Sequence, residues 1–293
     1  MSPTDKPTDG AATEMSTDGG DHPEKSPHAT YLTAKRTLDD RSMNRDVLAQ
    51  FAAALPPEPT ILEVGAGTLT MVERLAEWEV LDGGEWVAVD THEPALRSGR
   101  ARLGARADGE LLGDGLGESI RLGDLTIECS VGDAFDFTAR VDQQFDAVVG
   151  CAFFDVVDPV PALESLGEVA PLVYAPITYD GETSLSPTDP DDPAVFDAYH
   201  QHMRAFRPGS PEGATALADA ASTVIASAPS PWRIEPPYTD DDRLVLAHLL
   251  DTIESAVAET GKDISAWTER RRAAVASSDL TYIARNRDLL IRL

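Results

Sequence analysis

Gly65 and Gly67 interrupt the apolar run of Thr60-Ile-Leu-Glu-Val-Gly-Ala-Gly, and beyond them Leu69, Val72, Leu75 and Ala76 recur at helical spacing. Glycines at such a junction let backbone come within contact of a ligand, and the unpaired N–H groups of the helix start point at the same place. The chemistry on offer is the cradling of a nucleotide-like ligand. Asp90 ends a second apolar run, Trp86-Val-Ala-Val-Asp90, where one carboxylate accepts hydrogen bonds from both hydroxyls of a ribose. Cys151 and Asp155 follow a third run, Phe145-Asp-Ala-Val-Val-Gly150, at the end where open parallel sheets place their ligands. Farther on stand Tyr179 and His200, the latter a candidate general base. His200 and His202 do not form a metal pair, because residues two apart on a helix point to different faces.

These residues need a scaffold of alternating strands and helices. Strands are expected at Thr60 to Val64, at Trp86 to Asp90, at Leu125 running into Gly132-Asp133, at Phe145 to Gly150 and at Val169 to Ala175, with a helix from Val160 to Leu166 before the last. That alternation predicts an α/β doubly wound sheet. Ahead of it, Leu38, Met43, Val47, Leu48 and Phe51 predict a helix from Tyr31 to Leu55, stopped by Pro56-Pro57. After the fifth strand, Tyr179-Asp180-Gly181 is expected to enter a proline- and aspartate-rich loop ending at Pro193, followed by a helix over Val195 to Phe206. A strand at Trp232-Arg-Ile234 and helices over Asp240 to Ala258 and Ile264 to Ala276 follow.

Glu63, two residues before the first glycine, decides between ligands. The dinucleotide fingerprint requires a third glycine where this chain has Thr70, which weakens a reading as a NAD-dependent oxidoreductase. The segment instead resembles the E/D-x-G-x-G-x-G pattern of class I S-adenosylmethionine-dependent methyltransferases, with Leu69 in place of the third glycine. The resemblance implies a Rossmann-like, mostly parallel seven-stranded sheet with extra C-terminal helices. It implies S-adenosyl-L-methionine as cofactor, with Gly65, Ala66 and Gly67 at its methionine end, Asp90 and Thr91 at the ribose, and Asp133 and Ala134 at the adenine. Glu63 orients the turn or the cofactor's amino group, and Cys151 marks the methyl-transfer corner. Asp155, Tyr179 and His200 are then the acceptor-side candidates for a small-molecule methyl acceptor. The Leu69 departure leaves a non-catalytic binding module of the same fold as the alternative. The ending Leu280 to Leu290 and the Trp267…Arg271 helix extend the resemblance over residues 31 to 293. Residues 31 to 180 form the cofactor-binding part, and 181 to 293 cover the substrate while completing the same domain.

Composition bounds the setting. The formal net charge is −27, the acids are spread along the whole chain, and Lys6, Lys25, Lys35 and Lys262 are the only lysines among 24 basic residues. An acid-covered, lysine-poor chain that is still 42% hydrophobic fits a halophilic cytoplasmic protein, whose self-repulsion molar salt screens. The same charge argues against a nucleic-acid substrate. Arg270-Arg-Arg272, the one basic cluster, reads as a helix face paired with Glu269 and Asp279. Cys129 and Cys151 end strands that the methyltransferase order separates by two others, so no disulfide is expected. No apolar run is long enough to span a membrane. Residues 1 to 30, rich in Thr, Ser, Pro, Gly and Asp, are expected to be a disordered tail.

Overall fold

The computed structural model describes residues 27–206 and 209–293. The polar tail therefore lies outside the described residues as far as 26, and its last four residues belong to the first helix. The helix expected from Tyr31 to Leu55 is three helices, α1 (Pro27–Ala34), α2 (Arg36–Ser42) and α3 (Arg45–Ala54). Asn44 is the reason for the second break: its side chain accepts the N–H groups of Asp46 and Val47 at 3.1 and 3.2 Å and starts a new helix where the apolar spacing alone suggests continuity.

The sheet then begins. In chain order come β1 (Thr60–Val64), α4 (Thr70–Glu77), β2 (Gly83–Asp90), α5 (Glu93–Gly104), the short β3 (Gly109–Leu111) and β4 (Ile120–Leu122), β5 (Asp124–Val131), α6 (Ala134–Thr138), β6 (Ala147–Val149), α7 (Pro159–Gly167) and β7 (Leu172–Ser186). They are followed by α8 (Asp192–Phe206), α9 (Gly213–Ala220), β8 (Thr223–Pro229), β9 (Trp232–Ile234), α10 (Asp240–Glu259), α11 (Ser265–Ala276) and β10 (Thr281–Arg292). The strand order is β3-β4-β5-β2-β1-β6-β7-β10-β8, with β9 paired to β10. Without the β3–β4 hairpin and β9, this is a doubly wound sheet in which the third, second, first, fourth and fifth main strands run parallel and the last, antiparallel, enters between the fifth and sixth. It is the Rossmann-like methyltransferase fold that the sequence resembles.

Both faces of the central strands are covered, which is why their apolar runs are continuous. Ile61, Trp86, Ala88 and Tyr174 pack with α3, α4 and α5 on one face. Leu62, Val64, Val148, Val173 and Ala175 pack with α6, α7 and α9 on the other. A third core, built from α2, α8, α10 and α11, covers the outer halves of β7 and β10 through Leu38, Val195, Phe196, Leu246, Trp267 and Tyr282. The expected loop from Tyr179 is thus a strand. β7 continues to Ser186 because β10 supplies partners along its whole length, from Arg292 opposite Leu172 to Thr281 opposite Ser186. Cys129 and Cys151 are free, and β5 and β6 are separated by β2 and β1. Among the described residues no helix is long and apolar enough to cross a membrane.

Gly99 brings α5 against the glycine turn: a Cβ there would stand 2.4 Å from the carbonyl oxygen of Thr68. In most helix interiors Gly→Ala stabilises by roughly 0.5–1 kcal/mol. Here Gly99→Ala is expected to destabilise by about 1–3 kcal/mol through overpacking. Denaturant unfolding of the variant checks the sign.

Candidate functional site

The turn after β1 contains three residues in left-handed conformation, Gly65 (φ 65°), Gly67 (φ 51°) and Leu69 (φ 59°). Leu69 thus adopts the backbone that the third glycine of the pattern would supply. That conformation costs roughly 1–2 kcal/mol for a residue with a Cβ, a cost opposed by complete burial of its side chain in the core beneath α4. The turn stands at the carboxyl end of β1, where the strand order reverses between β2 and β6. Open α/β sheets bind their ligands at such a point.

Asp90 ties this end of the sheet together. Its Oδ2 accepts the Gly67 N–H at 2.7 Å, its Oδ1 accepts the His92 N–H at 2.7 Å, and its backbone carbonyl accepts the Gly132 N–H at 3.0 Å. Each carboxylate oxygen has two lone pairs, so these bonds leave room for a ribose hydroxyl at each. Thr91 is exposed beside it, ahead of His92, whose Nδ1 caps α5 by accepting the Ala95 N–H at 3.1 Å. Asp133 is exposed and caps α6 through the N–H groups of Phe135 and Asp136, at the rim of a hollow of about 310 Å³ that also involves Gly132, Phe137 and Arg140. Ala66 and Ala134 are buried on opposite faces of the sheet.

Two apolar side chains lie directly on the glycines. A Cβ on Gly65 would meet Phe153 at 2.8 Å, and one on Gly67 would meet Leu32 of α1 at 3.0 Å. Phe135 stands beside Phe153, their ring centres 6.2 Å apart. Backbone free of Cβ, a strand-end carboxylate and an aromatic wall suit a nucleoside with an attached amino acid. Among the residues present, Gly65, Gly67, Asp90 and Asp133 are placed to hold one.

Glu63 is enclosed behind the turn, within the electrostatic reach of Asp90. It is 2% exposed, inside the core, and its Oε2 accepts the Trp86 Nε1–H at 2.8 Å. Burial pushes its carboxyl up to about 8, which holds it protonated at neutral pH. It braces β1 against β2 behind the turn. Cys151 is half-buried after β6, its thiol pushed up to about 12 by burial, near Lys35, Asp39, Arg74 and Asp288. Sequence reasoning did not place these four. The available signal was Lys35: in a chain that uses arginine almost everywhere, this lysine is buried, bonded to Asp39 at 2.8 Å and 5.3 Å from the Trp232 ring centre.

The structure brings Tyr179 and His200 into contact. The Tyr179 hydroxyl lies 2.9 Å from His200 Nε2 and 3.0 Å from Thr183 Oγ1. Burial pushes the phenol up to about 12 and lowers His200, with Arg204 adding to the latter. At neutral pH the pair is therefore a neutral phenol hydrogen-bonded to a neutral imidazole. Tyr199 and Asp155 also act on the Tyr179 phenol. Asp155 is enclosed by the segment around Gly209 and Gly213, where added Cβ atoms would collide with its backbone. Outside the pair, a cleft of about 390 Å³ between β7 and α8 is lined by Thr183, Leu185, Phe196, Asp197 and His200. His202 turns away from it to Glu259, at 2.8 Å.

The basic cluster on α11 is occupied by acids, though not by the expected ones. Arg270 pairs with Asp189 and Asp191, Arg271 with Asp192, and Arg272 with Asp251 and Glu254. Glu269 and Asp279 are nearer in sequence, but the acids of the segment before α8, of α8 itself and of α10 lie closer in space.

No family model matches the chain. No curated protein matches it. Similar solved structures include a SAM-dependent methyltransferase from Thiobacillus denitrificans in complex with S-adenosyl-L-homocysteine, 14% identical with TM-score 0.47, covering 90% of this chain and 97% of that one. A putative type II methyltransferase from Anaeromyxobacter dehalogenans is 19% identical with TM-score 0.48, over 86% and 97% of the two chains. A cyclopropane-fatty-acyl-phospholipid synthase-like protein from Lactobacillus casei is 19% identical with TM-score 0.47, over 88% and 92%. At such distances the fold assignment rests on the strand order and on the left-handed turn.

Glu63 supplies a pH test. Its folded value near 8 exceeds the ordinary 4.5, so the folded chain holds this proton more tightly than the unfolded one. The associated stability is complete below about pH 4.5 and is lost as pH rises through about 8. Glu63→Gln keeps an acceptor for Trp86 and has no proton to lose. Relative to it, the wild type is expected to lose on the order of 1 kcal/mol per pH unit across that window, read by denaturant unfolding at several pH values.

Proposed function

We propose that the protein is an S-adenosyl-L-methionine-dependent methyltransferase acting on a small-molecule acceptor. The observation that carries this reading is the left-handed Gly65–Leu69 turn tied to Asp90 at the point where the strand order reverses. Gly65, Ala66 and Gly67 take the methionine end, Asp90 and Thr91 the ribose, and Asp133 and Ala134 the adenine edge. When bound, the cofactor supplies an activated methyl group for direct displacement.

The chain's own residues position the acceptor and exclude water. Leu32 and Phe153 close over the turn, so the reacting atoms meet away from solvent, and correct alignment supplies much of the rate. Cys151 remains a neutral thiol at the transfer corner. An acceptor that must lose a proton delivers it to His200, directly or through the Tyr179 hydroxyl, and the cleft outside receives it. Asp155 adds negative charge on the same side. The occupied arginines of α11 support a small acceptor in preference to a polyanion. The acid-rich, lysine-poor composition supports a halophilic, cytoplasmic setting. The midpoint of thermal unfolding is then expected to rise steadily between low and molar KCl, and an unchanged midpoint would count against that setting.

Calorimetric titration in molar KCl with S-adenosylmethionine, S-adenosylhomocysteine and NAD(H) tests the cofactor. Saturable binding of the first two alone is expected. Asp90→Ala is expected to weaken that binding by about a hundredfold or more, from the loss of charge-assisted bonds to the ribose. Wild-type affinity in a folded Asp90→Ala variant would overturn the assignment.

A further inference from the structure

Tyr179 reaches His200 only because β7 contains an irregularity. Opposite β7, Arg287 pairs with Thr178 and Leu289 with Ala175, so two residues of β7, Pro176 and Ile177, face one residue of β10, Asp288. This is a β-bulge, and a bulge re-aims every side chain beyond it. Before it, Val173 and Ala175 pack with the α7 and α9 face, while Tyr174 stacks on Phe51 of the other face, ring centres 4.7 Å apart. Regular alternation from Val173 and Ala175 would carry residues 177 and 179 to the α7 and α9 face. Instead Ile177 packs in the same core as Tyr174, and Tyr179 joins the core that contains α8 and α10.

The bulge has a visible constraint. Ile177 is left-handed, φ 56°, a conformation that β-branched residues adopt only when their surroundings impose it. Its N–H, displaced from the strand ladder, donates to Asp288 Oδ1 at 2.8 Å, and the Asn44 N–H donates to Asp288 Oδ2 at 2.7 Å. The Asp288 side chain is completely buried. On the other flank, the Ala152 N–H donates to the Pro176 carbonyl at 3.0 Å, joining the bulge to the segment after Cys151.

We propose that Asp288 is a positioning residue: by holding Ile177 in its left-handed conformation, it turns Tyr179 onto His200 and so assembles the acceptor side. The functional half of this inference rests on the methyltransferase reading; the positional half does not. Asp288 touches neither the glycine turn nor Asp90 and acts through the direction of β7.

The test follows the His200 imidazole by NMR titration in the full-length protein. Tyr179→Phe removes the hydroxyl bonded to His200 Nε2 and is expected to shift its titration. Asp288→Ala is expected to give the same shift although Asp288 is not bonded to the ring, since Arg204, Asp197, Glu212 and Tyr199, the groups around His200, are unchanged. Adding Ile177→Gly to Asp288→Ala supplies a residue at ease with positive φ and is expected to restore the wild-type titration. It also provides a folded background if Asp288→Ala alone does not fold. An unmoved His200 in Asp288→Ala, or no recovery in the double variant, would overturn the proposal. S-adenosylmethionine titration of the same proteins separates the two readings: intact rescue without cofactor binding in the wild type sinks the function and leaves the positioning role standing, whereas cofactor binding without the His200 response does the reverse.

Discussion

The Asp90 carboxylate accepts one backbone N–H from the glycine turn and one from the start of α5, while its own carbonyl accepts a third from the end of β5. Three strand ends are thereby locked around one residue. Hydrogen bonds to a charged acceptor contribute about 1.5–3 kcal/mol each, enough to hold a turn in which three of five residues have positive φ. The ligand-facing geometry, the capping of α5 by His92 and the approach of Gly99 to Thr68 all presuppose that knot.

Beneath the turn, charges fix the helices. Glu73 of α4 is 3% exposed and receives Arg36 of α2 and Arg102 and Arg106 from the α5 end. Its neighbour Arg74 reaches Asp40 of α2. Buried ion pairs add little net stability, because desolvation offsets attraction, but each excludes arrangements in which one partner stands alone. Their effect here is positional: α2 and α5 are held to α4, and α1, joined to α2 through Lys35, is brought over the glycines. Tyr31 of α1 stacks on His248 of α10 at 3.8 Å, which joins that cover to the third core.

That third core depends on contacts between distant parts of the chain. β10 pairs with β7, β8 and β9, so residues 281–292 set the direction of the strand that carries Tyr179. A change at Asp288 is transmitted to His200 through one bulge and one tyrosine. The placement of Tyr179 against His200 and the folding of the carboxyl-terminal third are therefore the same problem in this molecule.

Local pattern determined much of the sheet. The apolar run to Val64, the glycines behind it, Asp90 at the end of β2 and the break at Gly132 are readable because burial on both faces demands continuous apolar strands, and only special residues end them. The helices α8, α10 and α11 are readable for a similar reason, from apolar spacing. Sequence did not reveal that Leu69 keeps a glycine-like conformation, since burial of its side chain opposes the strain and burial is a property of the folded core. Nor did it reveal the interior position of Glu63, set by Trp86 on the neighbouring strand. The run after Ala175 looks like a loop because its proline, its bulge and Gly181 break strand alternation; only pairing with β10, more than a hundred residues later, makes it a strand and gives Tyr179 its direction. Local periodicity records which residues must be buried, and the long-range partner decides which way the remaining ones face.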